Sequence, residues 1–284
     1  MRPILLVLSA CAFFAATNIV ARLVAETQAE NPIHPLLITF GRYLSGFLLV
    51  APLLATRHAR ARSQVPWMYL LRSGGGVTSA TCVFIAVAYL PVADVTAISY
   101  ASPFFALLLA ALFLGEKVRG GRWGAVAVGF AGALLITRPT PDTFQVMALV
   151  PFAAALAMGV EVTCARYVAQ RDAVGTAMVY TNGGGLLITA SMLPFIWAVP
   201  TGEQAGLIVL IGAITVSGQM LMIAAMREGE ASLLAPLFYS TLVHAAVFAW
   251  LAFGEVPVAW TLAGASLIVV SGIWLARSNR ERRP

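Results

Sequence analysis

Three charged residues, Arg42, Arg72 and Glu161, stand inside long apolar stretches of the sequence. A charge in hydrocarbon costs about 2.5–3.5 kcal/mol on insertion scales, so each needs a cavity, a partner or a route to the interface. Arg42 lies about a third of the way into its stretch, beside Tyr43 and Ser45, too deep to reach the interface comfortably. It is placed either to hold a substrate carboxylate or to satisfy helix carbonyls. Arg72 follows Trp67 and Tyr69 by about one turn and is expected to snorkel toward the interface. Glu161 can bind a proton or a cationic amine; the plainer alternative is that it pairs with Arg72, whose depth it shares.

Four polar and two aromatic positions complete the candidate set. His244 titrates near physiological pH and so suits proton coupling, or else bonds a neighbouring group as a neutral ring. Asn18, Asn182 and Gln219 carry amides that must find hydrogen bonds, from a substrate or from an adjoining helix. Tyr100 and Tyr239 suit a wall that accepts apolar side chains, with packing as the alternative. The candidate substrate-binding and translocation set is therefore Asn18, Arg42, Tyr100, Glu161, Asn182, Gln219, Tyr239 and His244, with no catalytic residue among them. No His-Glu-x-x-His, Gly-x-Ser-x-Gly or phosphate-binding glycine loop occurs, and Lys117 is the sole lysine, so an enzyme or an ATP-driven pump is not expected. Neither a metal site nor a cofactor is expected, and Cys11, Cys82 and Cys164, all within apolar stretches, are expected to pack as small hydrophobes without a disulfide.

The elements that hold these residues are membrane spans. Of 284 residues, 60% are hydrophobic and 11% charged, and the mean hydropathy is +0.87, more apolar surface than a water-facing domain can hide. Spans are expected at 4–25, 35–55, 66–90, 94–114, 121–138, 144–167, 176–198, 205–226, 232–252 and 258–277, each near the length of about 20 residues that crosses the bilayer core. The stretch Leu8-Ser9-Ala10-Cys11 has the look of a lipoprotein processing site, yet hydrophobicity continues past it, so the first span is read as uncleaved. Fourteen of 18 basic residues fall in cytoplasmic turns and tails if both termini are cytoplasmic, which satisfies the positive-inside rule. The net charge of +6 is dispersed over those turns, and no nucleic-acid partner is expected.

The chain also reads twice. Ala21-Arg22 answers to Ala165-Arg166, Pro52 to Pro194, Gly115-Glu116 to Gly254-Glu255, and Gly124 with Gly132 to Gly264 with Gly272, at offsets drifting only from 144 to 139. Five spans per copy reverse the second copy in the membrane. The expected fold is an all-α integral membrane protein of ten helices in two inverted-topology five-helix repeats, residues 1–138 and 144–284, N-in and C-in. Such repeats place a substrate site between the halves near the midplane and work by alternating access. One chain closes the cavity, so a monomer suffices. The runs Gly74-Gly75-Gly76 and Gly183-Gly184-Gly185 sacrifice about 0.8–1.0 kcal/mol per glycine relative to alanine. They mark either a hinge or cavity wall, or a close helix crossing.

The Gly-Glu closures of spans 4 and 9, the Gly-spaced helices that follow, and the fragments PVADVTAISYASPFFALLLAALFLGEKV and GEASLLAPLFYSTLVHAAVFAWLAFGEVP resemble the drug/metabolite transporter superfamily, in its ten-helix EamA-type branch. The resemblance implies a small-molecule transporter in which spans 1–4 and 6–9 surround the cavity and spans 5 and 10 buttress it. The glycines of spans 5 and 10 agree with a packing role. Bacterial exporters of the branch imply export of neutral, aromatic or hydrophobic amino acids across the inner membrane, with Arg42 on the carboxylate and Glu161 on the amine. The alternatives are import of a vitamin or cofactor such as riboflavin or S-adenosylmethionine and, from another class, an intramembrane lipid-handling enzyme or scaffold.

Overall fold

The computed structural model describes residues 2–27, 32–52, 63–99, 149–169, 171–228 and 240–280, with isolated positions between 101 and 147 and at 237. Among the described residues there is no strand, and nine helices follow in order. They are α1 (Arg2–Glu26), α2 (Pro35–Val50), α3 (Pro66–Tyr89), α4 (Val92–Ser99), α5 (Leu149–Ala169), α6 (Val174–Ile196), α7 (Gly202–Glu228), α8 (Ser240–Phe253) and α9 (Ala259–Arg280). Most of the expected spans 4 and 5 and the start of span 9, with Tyr100 and Tyr239, lie outside the described residues.

Local chemistry explains several of the helix limits. Pro35 opens α2, where its missing N–H costs nothing, and the His34 side chain accepts the Leu36 N–H. Thr201 and Gln204 form a reciprocal capping box at the start of α7: the Gln204 N–H donates to Thr201 Oγ1 at 3.2 Å, and the Thr201 N–H to Gln204 Oε1 at 3.0 Å. Helix α8 stops where Gly254 adopts φ 67° and its N–H returns to the Trp250 carbonyl at 3.0 Å, a left-handed cap that a side chain would strain.

By length and composition α1, α3 and Gly202–Ala225 of α7 can each cross a membrane, and α2, α5, α8 and α9 contribute shorter apolar stretches. Large apolar side chains point outward in a manner no water-facing surface tolerates: Phe195 is 84% exposed and Leu187 73%. Trp67, Trp197 and Trp260 stand exposed near helix ends, as an interfacial belt requires. The protein is a multi-pass membrane protein.

Inside, α1 packs most extensively on α7, and α3 on α5; α2 crosses both α6 and α7, and α3 also meets α6. At the end of the bundle where α1 finishes and α2 begins, one apolar core joins Ile19, Val24, Leu37, Val87, Val95, Ile211 and Ala249 across six helices. At the other end the described core is split into three smaller clusters, around Val7 with Met222, Val50 with Met178, and Tyr69 with Val168. Cys11, Cys82 and Cys164 are free thiols.

The glycines of the fifth span pack against α9. A Cβ on Gly132 would sit 2.6 Å from the Gly264 carbonyl oxygen, and one on Gly124 3.1 Å from the Trp274 ring. Backbone cannot move aside as a flexible side chain can. Gly132→Val is therefore expected to lower stability by about 1–3 kcal/mol, read as a fall in the melting temperature of the detergent-solubilised protein. An unchanged melting temperature would show that this contact is not tight.

Candidate functional site

The two glycine triplets turn out to be parts of one close crossing around Tyr43. The ring is 1% exposed; a Cβ on Gly185 of α6 would lie 2.4 Å from it, and a Cβ on Gly76 of α3 would lie 2.6 Å from its hydroxyl. Gly183 takes the Phe47 ring of α2, Gly184 takes Ser73 of α3, and Gly75 lets α3 approach the backbone of Ala157 and Glu161 on α5. Only Gly74 meets nothing; it lines an apolar outer groove of about 860 Å³ between α3 and α5, together with Trp67, Leu70, Leu156 and Val160. Of the two expectations for these runs, close crossing accounts for five of the six glycines.

Two of the intramembrane charges stand at that crossing. The Arg42 guanidinium lies 4.6 Å from the Tyr43 ring centre. The Glu161 carboxylate lies 3.3 Å from the same Gly76 Cβ position that the Tyr43 hydroxyl approaches. Arg72 is half-exposed on α3, with its Nε buried and without a hydrogen bond to a described residue. Among the described residues no ion pair joins Arg72 to Glu161, so the simple pairing is not observed.

The other expected residues are distributed differently. Asn182 is near the cluster, but its Nδ2 donates to the Met178 carbonyl at 2.9 Å, and its Oδ1 packs against Gly46 at the α2–α6 crossing. Asn18 donates to Thr96 Oγ1 at 3.1 Å and so ties α1 to α4. His244 lies 2.8 Å from the Ser240 carbonyl, which obliges Nδ1 to be the donor and fixes the tautomer. Gln219 is half-buried on α7. The structure thus sets Arg42 and Glu161 beside Tyr43, places Asn182 one turn away at the α2–α6 crossing, and gives Asn18 and His244 partners between and within helices.

Three groups were missed from sequence. Tyr43 registered only as a neighbour of Arg42, although two glycine triplets around a tyrosine were a usable signal. Asp172, between α5 and α6, accepts Ser63 Oγ at 2.5 Å, the Gln64 N–H at 3.2 Å and the Tyr69 hydroxyl at 3.1 Å. The Ser63 N–H in turn donates to the Tyr180 hydroxyl at 3.2 Å. This hub ties the turn before α3 to the turn before α6. The third is Glu255, displayed by the Gly254 cap, whose carboxylate accepts the Val92 N–H at 3.2 Å and so caps α4. Glu255→Ala is expected to cost about 1 kcal/mol, and Glu255→Gln less, because the amide oxygen still accepts. Thermal melts of the two variants that coincide would sink this account of the Gly-Glu pair.

Apolar helices packed around a buried tyrosine, with charged neighbours from the first and second halves, define a multi-pass membrane protein with a polar interior. The profile of the EamA-like transporter family matches residues 1–138 and again 145–277, and the chain belongs to that family. Its relatives carry different cargo by name. A pseudopaline exporter of Pseudomonas aeruginosa is 32% identical over 269 residues, covering 93% of each chain. A riboflavin transporter of Rhizobium johnstonii is 31% identical, covering 86% of this chain and 82% of its own. An S-adenosylmethionine uptake transporter of Rickettsia bellii is 24% identical, covering 88% and 86%. One solved crystal structure, 19% identical, superposes with a TM-score of 0.61 over 97% of this chain and 99% of its own, which concerns the fold alone.

Proposed function

We propose that this protein is a secondary carrier of the bacterial inner membrane that exports amino-acid-like metabolites by alternating access, with Arg42 on the cargo's carboxylate and Glu161 on its amine. The observation that carries the reading is the approach of Arg42 and Glu161 to Tyr43 at a seam built from both halves of the chain. Charges of both signs held apart inside a membrane bundle are costly unless something is bound between them.

Several features support the inverted repeat on which alternating access rests. Exchanging the halves turns the α1–α7 contact into the α5–α3 contact, and the α2–α7 contact into the α6–α3 contact, while α2–α6 maps onto itself. Tyr43 and Gly185, which touch, are related by the same 142-residue offset as Pro52 and Pro194. With both termini cytoplasmic, the continuous apolar core lies at the outer end, which fits a carrier closed to the outside. A single chain supplies both halves of the seam, so a monomer suffices.

The neutral, aromatic form of the cargo leaned on Tyr100 and Tyr239, which lie outside the described residues. The relatives named for riboflavin and S-adenosylmethionine support a second reading, import of a vitamin or cofactor, to the same degree. Counterflow into proteoliposomes, with labelled amino acids, riboflavin and S-adenosylmethionine, separates the two. Exchange of amino acids alone supports the first reading, exchange of riboflavin or S-adenosylmethionine alone the second. Silence across the panel from folded protein would remove the carrier reading.

A further inference from the structure

Each half of the sequence lends helices to the other. Helix α7, from the second half, packs on α1 and α2 of the first; α3, from the first half, packs on α5 and α6 of the second. Both sets are interlocked at bare glycines. A Cβ on Gly212 of α7 would fall 1.7 Å from Ser45 Oγ of α2, and one on Gly218 2.9 Å from the Phe14 ring of α1. A Cβ on Gly75 of α3 would fall 2.9 Å from the Ala157 carbonyl oxygen of α5, and one on Gly184 of α6 2.6 Å from Ser73 Oγ of α3. Polar ties reinforce each set. Thr17 and Thr215 share a hydrogen bond at 3.3 Å between α1 and α7, and Gln204 Nε2 donates to Thr27 Oγ1 at 3.3 Å. Ser73 Oγ donates to the Thr181 carbonyl at 3.0 Å, and Asp172 holds the start of α3 to the α5–α6 turn. Helix α8 lies on α1 and α4 lies on α5, which is the same contact once the halves are exchanged, whereas α4–α8, like α2–α6, maps onto itself.

Contacts of a different kind join the two sets at the end where α1 finishes. Arg22 donates to the Val87 carbonyl in the last turn of α3, Thr39 of α2 and Thr81 of α3 share a hydrogen bond at 2.9 Å, Asn18 donates to Thr96 Oγ1, and the Glu255 carboxylate accepts the Val92 N–H. Single hydrogen bonds of this sort can be exchanged for water as that end opens, whereas interlocked helix backbones cannot part without leaving voids.

We propose that the bodies which rock against each other are not the two sequence halves but two exchanged units, α1, α2, α7 and α8 in one and α3, α4, α5 and α6 in the other. The self-mapping contacts α2–α6 and α4–α8 are the joints between them, and Thr39–Thr81 with Arg22–Val87 is the clasp that parts when the outer end opens. The proposal rests on the carrier reading and adds to it which helices move together.

The test uses paired cysteines in the full-length protein, placed where hydroxyls or a hydroxyl and a carboxylate already meet and a disulfide can close. Counterflow of labelled phenylalanine, riboflavin and S-adenosylmethionine into proteoliposomes is read before treatment with a membrane-permeant oxidant, after it, and after reduction. Peptide mass spectrometry verifies each bridge, and the unmodified protein with Cys11, Cys82 and Cys164 is the control. Thr17→Cys with Thr215→Cys, and Ser63→Cys with Asp172→Cys, each join the two sequence halves inside one unit; their bridges are expected to leave counterflow at the rate of the reduced protein. Thr39→Cys with Thr81→Cys stays inside the first sequence half but joins the two units, and its bridge is expected to abolish counterflow until it is reduced. A Thr39–Thr81 bridge that leaves counterflow intact, or reversible loss on bridging either of the other pairs, overturns the proposal and leaves the carrier reading standing. No exchange of any probe by the unmodified protein overturns both. Where a pair does not exchange when reduced, or its bridge does not form, spin labels decide. The separation between labels at the exposed positions Leu49 of α2 and Trp67 of α3 is expected to change when the exchanged probe is added, and that between Trp67 and Tyr167 of α5 to stay fixed. Any other combination overturns the proposal.

Discussion

Gly185→Ala is expected to reduce the yield of folded, monodisperse protein severely, because the new methyl carbon would lie 2.4 Å from the Tyr43 ring. The ring has nowhere to go: it is 1% exposed, and its far end already faces Gly76, where an added Cβ would be 2.6 Å from the hydroxyl. Overpacking of this kind costs about 1–3 kcal/mol where neighbours can adjust, and adjustment here would have to move α6 away from α2. Fluorescence-detected gel filtration in detergent reads the outcome directly. Gly185→Ala combined with Tyr43→Leu should recover the monodisperse peak, since the smaller side chain vacates the space; a Gly185→Ala profile matching the unmodified protein would show that the crossing is loose.

The second large effect is expected at Glu161. Gln has nearly the same volume, so Glu161→Gln should fold, yet it removes the negative charge that stands beside Gly76 and the Tyr43 hydroxyl. Glu161 is half-buried, and losing one charge contact of that kind to a cargo costs about 1.4 kcal/mol, a factor of about ten. Counterflow of whichever probe the carrier accepts should therefore fall about tenfold, while the melting temperature moves little. Transport that persists at the original rate would place the cargo elsewhere in the bundle.

These two positions show where the sequence was informative and where it was silent. Arg42 and Glu161 are legible because a charge within an apolar stretch has few physical excuses. Helix positions were legible for the same reason in reverse, and α1, α3 and α7 fall where apolar length alone puts them. Asn18 and His244 could not be sorted by sequence, since an amide or imidazole looks identical whether its partner is a cargo or Thr96 and Ser240. The Gly254-Glu255 pair carried the family resemblance, but its reason, a left-handed turn that aims a carboxylate at the first turn of α4, depends on a contact between distant segments. The same holds for Asp172, whose three donors arrive from residues 63 to 69, more than a hundred positions earlier.

Consider last the geometry of α2 against α6. The helices cross antiparallel, Tyr43 meeting Gly185 and Gly46 meeting Asn182, with Phe47 seated on Gly183. On the carrier reading proposed above, so close a contact can serve as a pivot: near it a small rotation displaces atoms hardly at all, while the helix ends sweep in opposite senses. A load beside such a pivot, as Arg42 and Glu161 would hold it, would stay almost stationary in the membrane while access to it changed ends. The bulky ring on one arm and the bare glycine on the other act as pin and socket. Filling the socket at Gly185 should therefore lock the joint.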